Sequence, residues 1–366
     1  MKKIIVNKNG LLKINLDCLS ENYNTLQRIL KNKRIGSVLK SDSYGLGLLE
    51  VTKKLVSIGC KDFFLNSLEE TLKVRSKTSN SNIILLNGII NLSQKQIHKV
   101  LKNKIIPVIN SFKEILDFYK VSKKFNLLHK VALHFDTGIN RLGITDIDKE
   151  SVISFCKEKK IPIFCIMSHL ASADQPQSIF NKKQKKRFEK IIDFFPNTLY
   201  SLANSHAIIN LKKFEYDLVR SGGCLFGTIE KKKFKNVIEL FAKILQIKEF
   251  KDSHQIYGYN ATFQSHKKKR IAILGFGYAD GYPRILSNRS YVFFKKKLPV
   301  IGSISMDYMT IDISDLQEND LKVGDYVELI GKNISINEIA QKSKTIAYEI
   351  LNNIGNRVKK IYIDKV

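Results

Sequence analysis

Eight short apolar runs, separated by amphipathic stretches, fill residues 35–222 and constrain the fold more than any other feature. They are Ile35–Lys40, Phe63–Ser67, Ile83–Asn87, Ile105–Asn110, Val131–Asp136, Ile161–His169, Leu199–Asn204 and Leu218–Gly222. A strand buried on both faces reads as a continuous apolar run, as in parallel sheets covered by helices. Between the runs, Ser67-Leu-Glu-Glu70, Ser93-Gln-Lys-Gln96 and Ser111-Phe-Lys-Glu114 each place Glu or Gln three residues after a serine. That spacing predicts capping boxes opening three helices. Eight strand-like runs alternating with helices predict a parallel (β/α)8 barrel, with a doubly wound open sheet as the alternative.

After about residue 235 the helical period fades and β-type runs dominate: Ile271–Phe276, Ser290–Phe294, Val300–Ile304, Met309–Ile313, Tyr326–Ile330 and Lys360–Ile363. Turn signals at Asp280-Gly281 and Val323-Gly324-Asp325 separate them. The expected organisation is therefore a barrel over residues 14–235 and a mostly β domain over 236–366. The N-terminal strand, residues 1–13, is expected to join the β domain.

Charge bears on what the chain does. The net charge is +28, but of the 62 basic residues 52 are lysine and 10 arginine. Runs such as Lys182–Lys186, Lys231–Lys233 and Lys267–Lys269 are scattered and lack interleaved aromatics. A base-reading surface favours arginine, whose planar fork pairs bidentately with guanine and phosphate. A solvated lysine-rich surface that attracts anionic ligands is the better reading, with no specific nucleic-acid partner. The five cysteines, Cys18, Cys60, Cys156, Cys165 and Cys224, show no metal-type or paired spacing. They predict buried reduced thiols and a cytoplasmic location. No apolar block suits a signal peptide or a membrane span, and no His or carboxylate cluster has metal-ligand spacing.

In a barrel, catalytic groups come from the C-terminal ends of the strands. Run one ends at Lys40 and continues to Tyr44 and Gly47; run five ends at Asp136 and continues to Arg141. Run six ends at Ser168-His169, run seven at Asn204-Ser205 and run eight at Arg220-Ser-Gly222-Gly223. The last two loops of many barrels bind phosphate through backbone N–H groups. One strand-end lysine beside such a cradle points to a phosphate-bearing carbonyl cofactor held by that lysine. Each residue alone has a plain structural reading, a surface lysine or a core histidine; co-location favours chemistry.

These segments resemble the alanine racemase family. Val38-Leu-Lys-Ser-Asp-Ser-Tyr-Gly-Leu-Gly47 is similar to its pyridoxal 5'-phosphate (PLP) lysine motif. Asp136-Thr-Gly-Ile-Asn-Arg-Leu-Gly143, Ser168–Asp174, Ala203-Asn-Ser205, Val219–Gly223, Gly277-Tyr-Ala-Asp-Gly281 and Ser305-Met-Asp307 follow in the family's order, with a weaker match over Arg357–Tyr362. The resemblance implies PLP-dependent interconversion of L- and D-alanine by two bases. Lys40 would carry PLP and serve one face of the substrate; Tyr278, from the partner chain of a homodimer, would serve the other. Tyr44, Ser205 and the backbone at Gly222 and Gly223 would hold the cofactor's phosphate, and Asn204 would also bind the cofactor. Arg220 would face its pyridine nitrogen, with His169 hydrogen-bonded to Arg220 and Tyr278. Arg141 would lie near the cofactor's phenolic oxygen, and Met306 and Asp307 near the substrate carboxylate. An arginine opposite the ring nitrogen resists its protonation, which favours return of the proton to Cα over transamination.

Three positions depart from the family pattern. His134 stands where many relatives have a carbamylated lysine, Asn356 where an aromatic often lies, and Lys359-Lys360 where a proline is usual. A smaller residue at 356 could admit a hydroxyl, so a serine or broader racemase is the first alternative. A PLP decarboxylase of the same architecture is the second. Those enzymes place a cysteine acid in the β domain, and here no cysteine follows Cys224.

Overall fold

The computed structural model describes residues 8–229, 233–251 and 254–364. Part of the expected N-terminal strand (residues 1–7), together with Lys231 and Lys232, lies outside them. The described residues divide into two compact units: residues 20–43 and 47–225 form one, and those within 8–19, 44–46 and 226–364 the other. The strand β1 (Gly10–Asn15) belongs to the latter.

The first unit is a barrel of parallel strands: β2 (Arg34–Val38), β3 (Asp62–Leu65), β4 (Asn82–Leu85), β5 (Ile105–Ile109), β6 (Val131–His134), β7 (Ile163–Met167), β8 (Leu199–Ser201) and β9 (Leu218–Ser221). Each pairs with its successor from β2 to β8, and β9 pairs with β2. The ring closes where Asp217 N–H donates to the Tyr200 carbonyl at 3.1 Å and Arg220 N–H to that of Ala203 at 2.9 Å. All eight apolar runs thus become neighbouring strands. β3, β5, β6 and β9 are buried along their whole length, which explains why they read as unbroken apolar runs. Phe64, Ile84, Ile106, Val108, Ala132, Phe164 and Cys165 pack together in the core of this unit. At the opposite pole from the strand C-termini, Arg34 grips Asp62 with two hydrogen bonds of 3.0 and 2.6 Å, and Asn82 donates to the same carboxylate.

Two of the three capping boxes form as written. Ser67 and Glu70 cap the helix Leu68–Arg75, and Ser93 and Gln96 cap Gln94–Lys102. The third does not close. Ser111 accepts from Glu114 N–H, but the Glu114 carboxylate accepts from the amides of Asn110 and Ile89 instead of Ser111. Glu114 therefore ties the β4 and β5 loops together from a buried position.

The second unit is built on β10 (Ile238–Phe250), thirteen residues long. The hairpin strands β11 (Gln255–Tyr257) and β12 (Phe263–Ser265) follow, then β13 (Lys269–Leu274), β14 (Tyr291–Phe294), β15 (Lys296–Ile301), β16 (Met309–Asp312), β17 (Tyr326–Ile330) and β18 (Lys359–Ile363). The first half of β10 pairs with β1 and β17, and the second half, after a register shift at Ile244–Gln246, with β13. β1 also runs parallel to β18. β10 is hard to read in sequence because Phe241 lies on its outward face, covered by the Lys13 ammonium 4.6 Å from the ring. That apolar residue masks the period-two alternation.

Candidate active site

The C-terminal ends of the barrel strands gather the expected groups into one electropositive cluster. β2 stops at Val38, short of Lys40. Lys40 instead opens a tight left-handed turn in which Ser41, Asp42, Ser43 and Tyr44 have φ of 56, 53, 57 and 57°. None is glycine, so each costs roughly 1–2 kcal/mol that surrounding contacts must offset. Ser43 N–H donates to the Leu39 carbonyl at 3.0 Å, Gly47 N–H to that of Asp42 at 2.9 Å, and Leu48 N–H to the Asp42 carboxylate at 2.8 Å. From the next strand's helix, Glu70 accepts from Asp42 N–H at 3.0 Å. Lys40 is half-buried, and burial, then the Arg141 charge, lowers its pKa below the usual lysine range, with Glu70 opposing. A lysine shifted this way is a better amine nucleophile and base at neutral pH.

Arg220, on β9, is buried. Its guanidinium donates to the Ser201 carbonyl and hydroxyl at 2.9 and 2.6 Å and to the Ser168 carbonyl at 2.5 Å. Burial pushes its pKa down to about 10, so it remains a cation at neutral pH. His134 gives Nδ1 to Asn110 Oδ1 at 2.9 Å, while its buried Nε2 has no partner among the described residues. Burial and the charge of Arg220 drive its pKa to about 4. His169 is held well below the ordinary histidine range by burial, then by Arg220, Arg141, His134 and Lys40. The expected hydrogen bond from His169 to Arg220 is not made among the described residues. The Arg220 donors go instead to backbone and serine oxygens, and its charge acts on His169 through space.

Asp136 is a turn builder: its carboxylate accepts from the N–H groups of Gly138, Ile139 and Arg141 at 2.8, 2.9 and 3.2 Å. Burial opposes its ionisation, but these donors outweigh it and hold the pKa below the usual aspartate value. The turn presents Arg141 to solvent. At the last two strands, Asn204 caps the short helix Ser205–Asn210 by accepting from Ala207 N–H at 3.0 Å. Gly222 and Cys224 direct their N–H groups to Ser205 Oγ at 3.0 and 3.3 Å, and Gly223 opens a four-residue helical turn between them.

Four expected residues belong to the second unit. Tyr44 is buried there with its ring 5.2 Å from Phe226 and 5.6 Å from Tyr348. Tyr278 and Met306 are exposed, and their turns are stitched together: Tyr278 N–H donates to the Ser305 carbonyl at 3.1 Å and Ala279 N–H to that of Met306 at 3.0 Å. Arg357 spans both turns, donating to Asp280 at 3.0 Å and to Asp307 at 2.7 Å.

Several contributors escaped the sequence reading. Glu70 was visible only as a cap, and Arg357 only as part of a weak tail match. Asn110, the partner of His134, ends an apolar run like any loop residue. Gln184 lies inside the lysine run 182–186, yet it is buried and bonds Thr137 Oγ1, the His169 carbonyl and Ala171 N–H. Its signal was the one uncharged position in that run.

The donor set suits a phosphate-bearing carbonyl cofactor. A half-buried amine and a buried guanidinium stand with Arg141 in the barrel unit. The nearby carboxylates of Glu70 and Asp136 are both engaged by backbone N–H groups. Net positive charge is left for an anionic ligand.

The chain matches the family description "Alanine racemase, N-terminal domain" over residues 14–230 and "Alanine racemase, C-terminal domain" over residues 237–362. The chain belongs to the alanine racemase family. An alanine racemase of Rickettsia canadensis is 36% identical over 355 residues, covering 96% of this chain and 98% of that protein. The alanine racemase of Bartonella henselae, whose crystal structure has covalently bound pyridoxal phosphate, superposes with a TM-score of 0.90 at 33% identity, covering 97% of this chain and 99% of that one. The biosynthetic alanine racemase of Pseudomonas aeruginosa gives 0.90 at 26% identity, covering 98% and 100%. The (β/α)8 barrel followed by a mostly β domain is thus the alanine racemase fold.

Proposed function

We propose that this protein is a PLP-dependent alanine racemase that moves the α-proton with Lys40 on one face and Tyr278 on the other. The observation that carries it is Lys40 itself, a half-buried amine of lowered pKa at the mouth of a family-typical barrel. Lys40, Tyr44, His169, Asn204, Ser205, Arg220, Gly222 and Gly223 would hold the cofactor. Arg141, Met306 and Asp307 would bind the amino acid. PLP, when bound, supplies the electron sink that acidifies the substrate's Cα–H bond.

Each side chain then has a defined task. Lys40 Nζ takes or returns the α-proton, helped by an environment that disfavours its ammonium form. Tyr278 Oη does the reverse on the opposite face. Arg220 stays cationic and fixed by Ser201 and Ser168, so it cannot accept a proton as a carboxylate would. The domains we assign along the sequence are residues 14–235 and 236–366 with the N-terminal strand, although by packing residues 14–19, 44–46, 226–229 and 233–235 go with the β unit. The assembly is a homodimer in which each site takes Tyr278 from the partner. Free cysteines and the lack, among the described residues, of any helix able to cross a membrane support a cytoplasmic enzyme on a small amino acid.

The test is L-alanine in D2O followed by NMR at Cα and chiral analysis. Deuterium incorporation with D-alanine formation is expected. Lys40→Ala should abolish the visible cofactor band, and Tyr278→Phe should keep the band while racemisation falls by about 10²-fold or more. A band that survives Lys40→Ala would sink the lysine assignment; exchange without D-alanine would point to another PLP reaction.

A further inference from the structure

Four consecutive left-handed residues without glycine need restraint from outside the turn, and Glu70 supplies one. It sits at the third position of the helix Leu68–Arg75, where its Oε2 accepts from Ser67 N–H at 3.3 Å and Asn66 N–H at 3.1 Å. A capping box requires no more than the Ser67 contact. Its other oxygen reaches back 28 residues to accept from Asp42 N–H at 3.0 Å.

The placement is specific. β2 and β3 pair as far as Val38 with Phe64, and Leu39 N–H still donates to the Phe64 carbonyl at 2.9 Å. There the backbone ladder ends, because the chain turns left-handed at Ser41. Glu70 prolongs the ladder with a side-chain acceptor, fastening the turn two residues beyond Lys40 to the end of β3. We propose that Glu70 is a positioning residue for Lys40: it locks the left-handed turn that carries the lysine and sets a negative charge beside the amine. This rests on the reading that Lys40 carries PLP.

The charge matters because the charged groups acting on Lys40 are Arg141, which disfavours its ammonium form, and Glu70, which favours it. His169, held well below the ordinary histidine range, is neutral at neutral pH, so Glu70 is the counterweight to Arg141. A glutamine here would keep the length but place an amide NH2 against backbone N–H donors, losing both the charge and one set of hydrogen bonds.

The experiment strips the full-length protein of cofactor and titrates it with PLP, comparing wild type, Glu70→Ala, Glu70→Gln and Ser67→Ala. Four quantities are read: the PLP dissociation constant, the pH midpoint of band formation, the melting temperature, and the attachment site mapped after borohydride reduction. Wild type should attach PLP at Lys40. Both Glu70 variants should bind PLP about tenfold or more weakly, as expected for a misplaced reacting group. Their pH midpoint should fall, since the ammonium loses its stabilising carboxylate. Ser67→Ala should lower the melting temperature through the lost cap but leave PLP binding and the midpoint near wild type. Wild-type constants in the Glu70 variants, or the same losses in Ser67→Ala, would overturn the proposal. Attachment at another lysine in wild type would instead overturn the reading of Lys40 on which it rests.

Discussion

At the scale of single residues, His134 shows how burial alone sets behaviour. It is an imidazole with one nitrogen bonded to Asn110 and the other buried without a partner among the described residues, in the field of the cationic Arg220. Its folded pKa of about 4 lies below the ordinary histidine value, so folding favours the neutral ring. Stability from this group is therefore complete above the unfolded value of about 6.5 and is lost as pH falls toward the folded one. A depression of this size corresponds to a loss on the order of 3 kcal/mol. His134→Gln should flatten the drop in melting temperature between neutral pH and about pH 4.5, within that window. An unchanged drop would mean that His134 is hydrated or paired in solution. Asn110 fixes the ring, so this position holds a neutral imidazole, which carries no negative charge toward Arg141.

Elements decide how those residues are aimed, and two turns in the β unit do most of this. Gly277 lies so close to the Ser305–Met306 turn that an added Cβ would stand 2.3 Å from the Met306 carbonyl oxygen and 2.4 Å from that of Ser305. Gly277→Ala must therefore push the Tyr278 turn outward. A displacement of about 1 Å at an acid–base group costs on the order of 10² in rate. The expected result is a large fall in kcat with the PLP spectrum unchanged, since Lys40, the lysine proposed to hold the cofactor, is in the barrel unit. Turnover at the wild-type level would show that Tyr278 does not act from this turn. Much at this scale was legible in sequence. All eight barrel strands and two of the three capping boxes fall where apolar continuity and serine spacing put them. What was not legible depended on partners distant in sequence. Lys40 left the strand because Glu70 and Asp42 stabilise a conformation that local propensity disfavours. Glu114 abandoned its cap because Asn110 and Ile89 offered buried amides. β10 hid because Phe241 faces outward under the Lys13 ammonium.

For the whole molecule, the surplus of lysine over arginine separates a general field from a specific site. A net charge of +28 draws small anions toward the protein, but many of the arginines, among them Arg34, Arg75, Arg220, Arg270 and Arg357, are spent on protein oxygens. Salt should therefore weaken capture of anionic ligands without changing which amino acid is turned over. The division of the site residues between two units raises a sharper issue. Lys40, Arg141, His169 and Arg220 belong to the barrel unit; Tyr278, Met306 and Asp307 belong to the other. If a second copy supplies the β half of each site, two dead variants can rescue one another. In a heterodimer of Lys40→Ala and Tyr278→Phe chains, one site carries both lesions and the other carries neither. Random reassortment of the two chains should then restore about a quarter of wild-type racemisation, the fraction of intact sites in a twofold-symmetric dimer. Each variant alone should stay at its own residual rate, far below a quarter of wild type, and dilution below the dimer dissociation constant should abolish the rescue. Verified heterodimers with no activity would mean that each chain completes its own site, and the twofold exchange of Tyr278 would have to be abandoned while Lys40 kept its role.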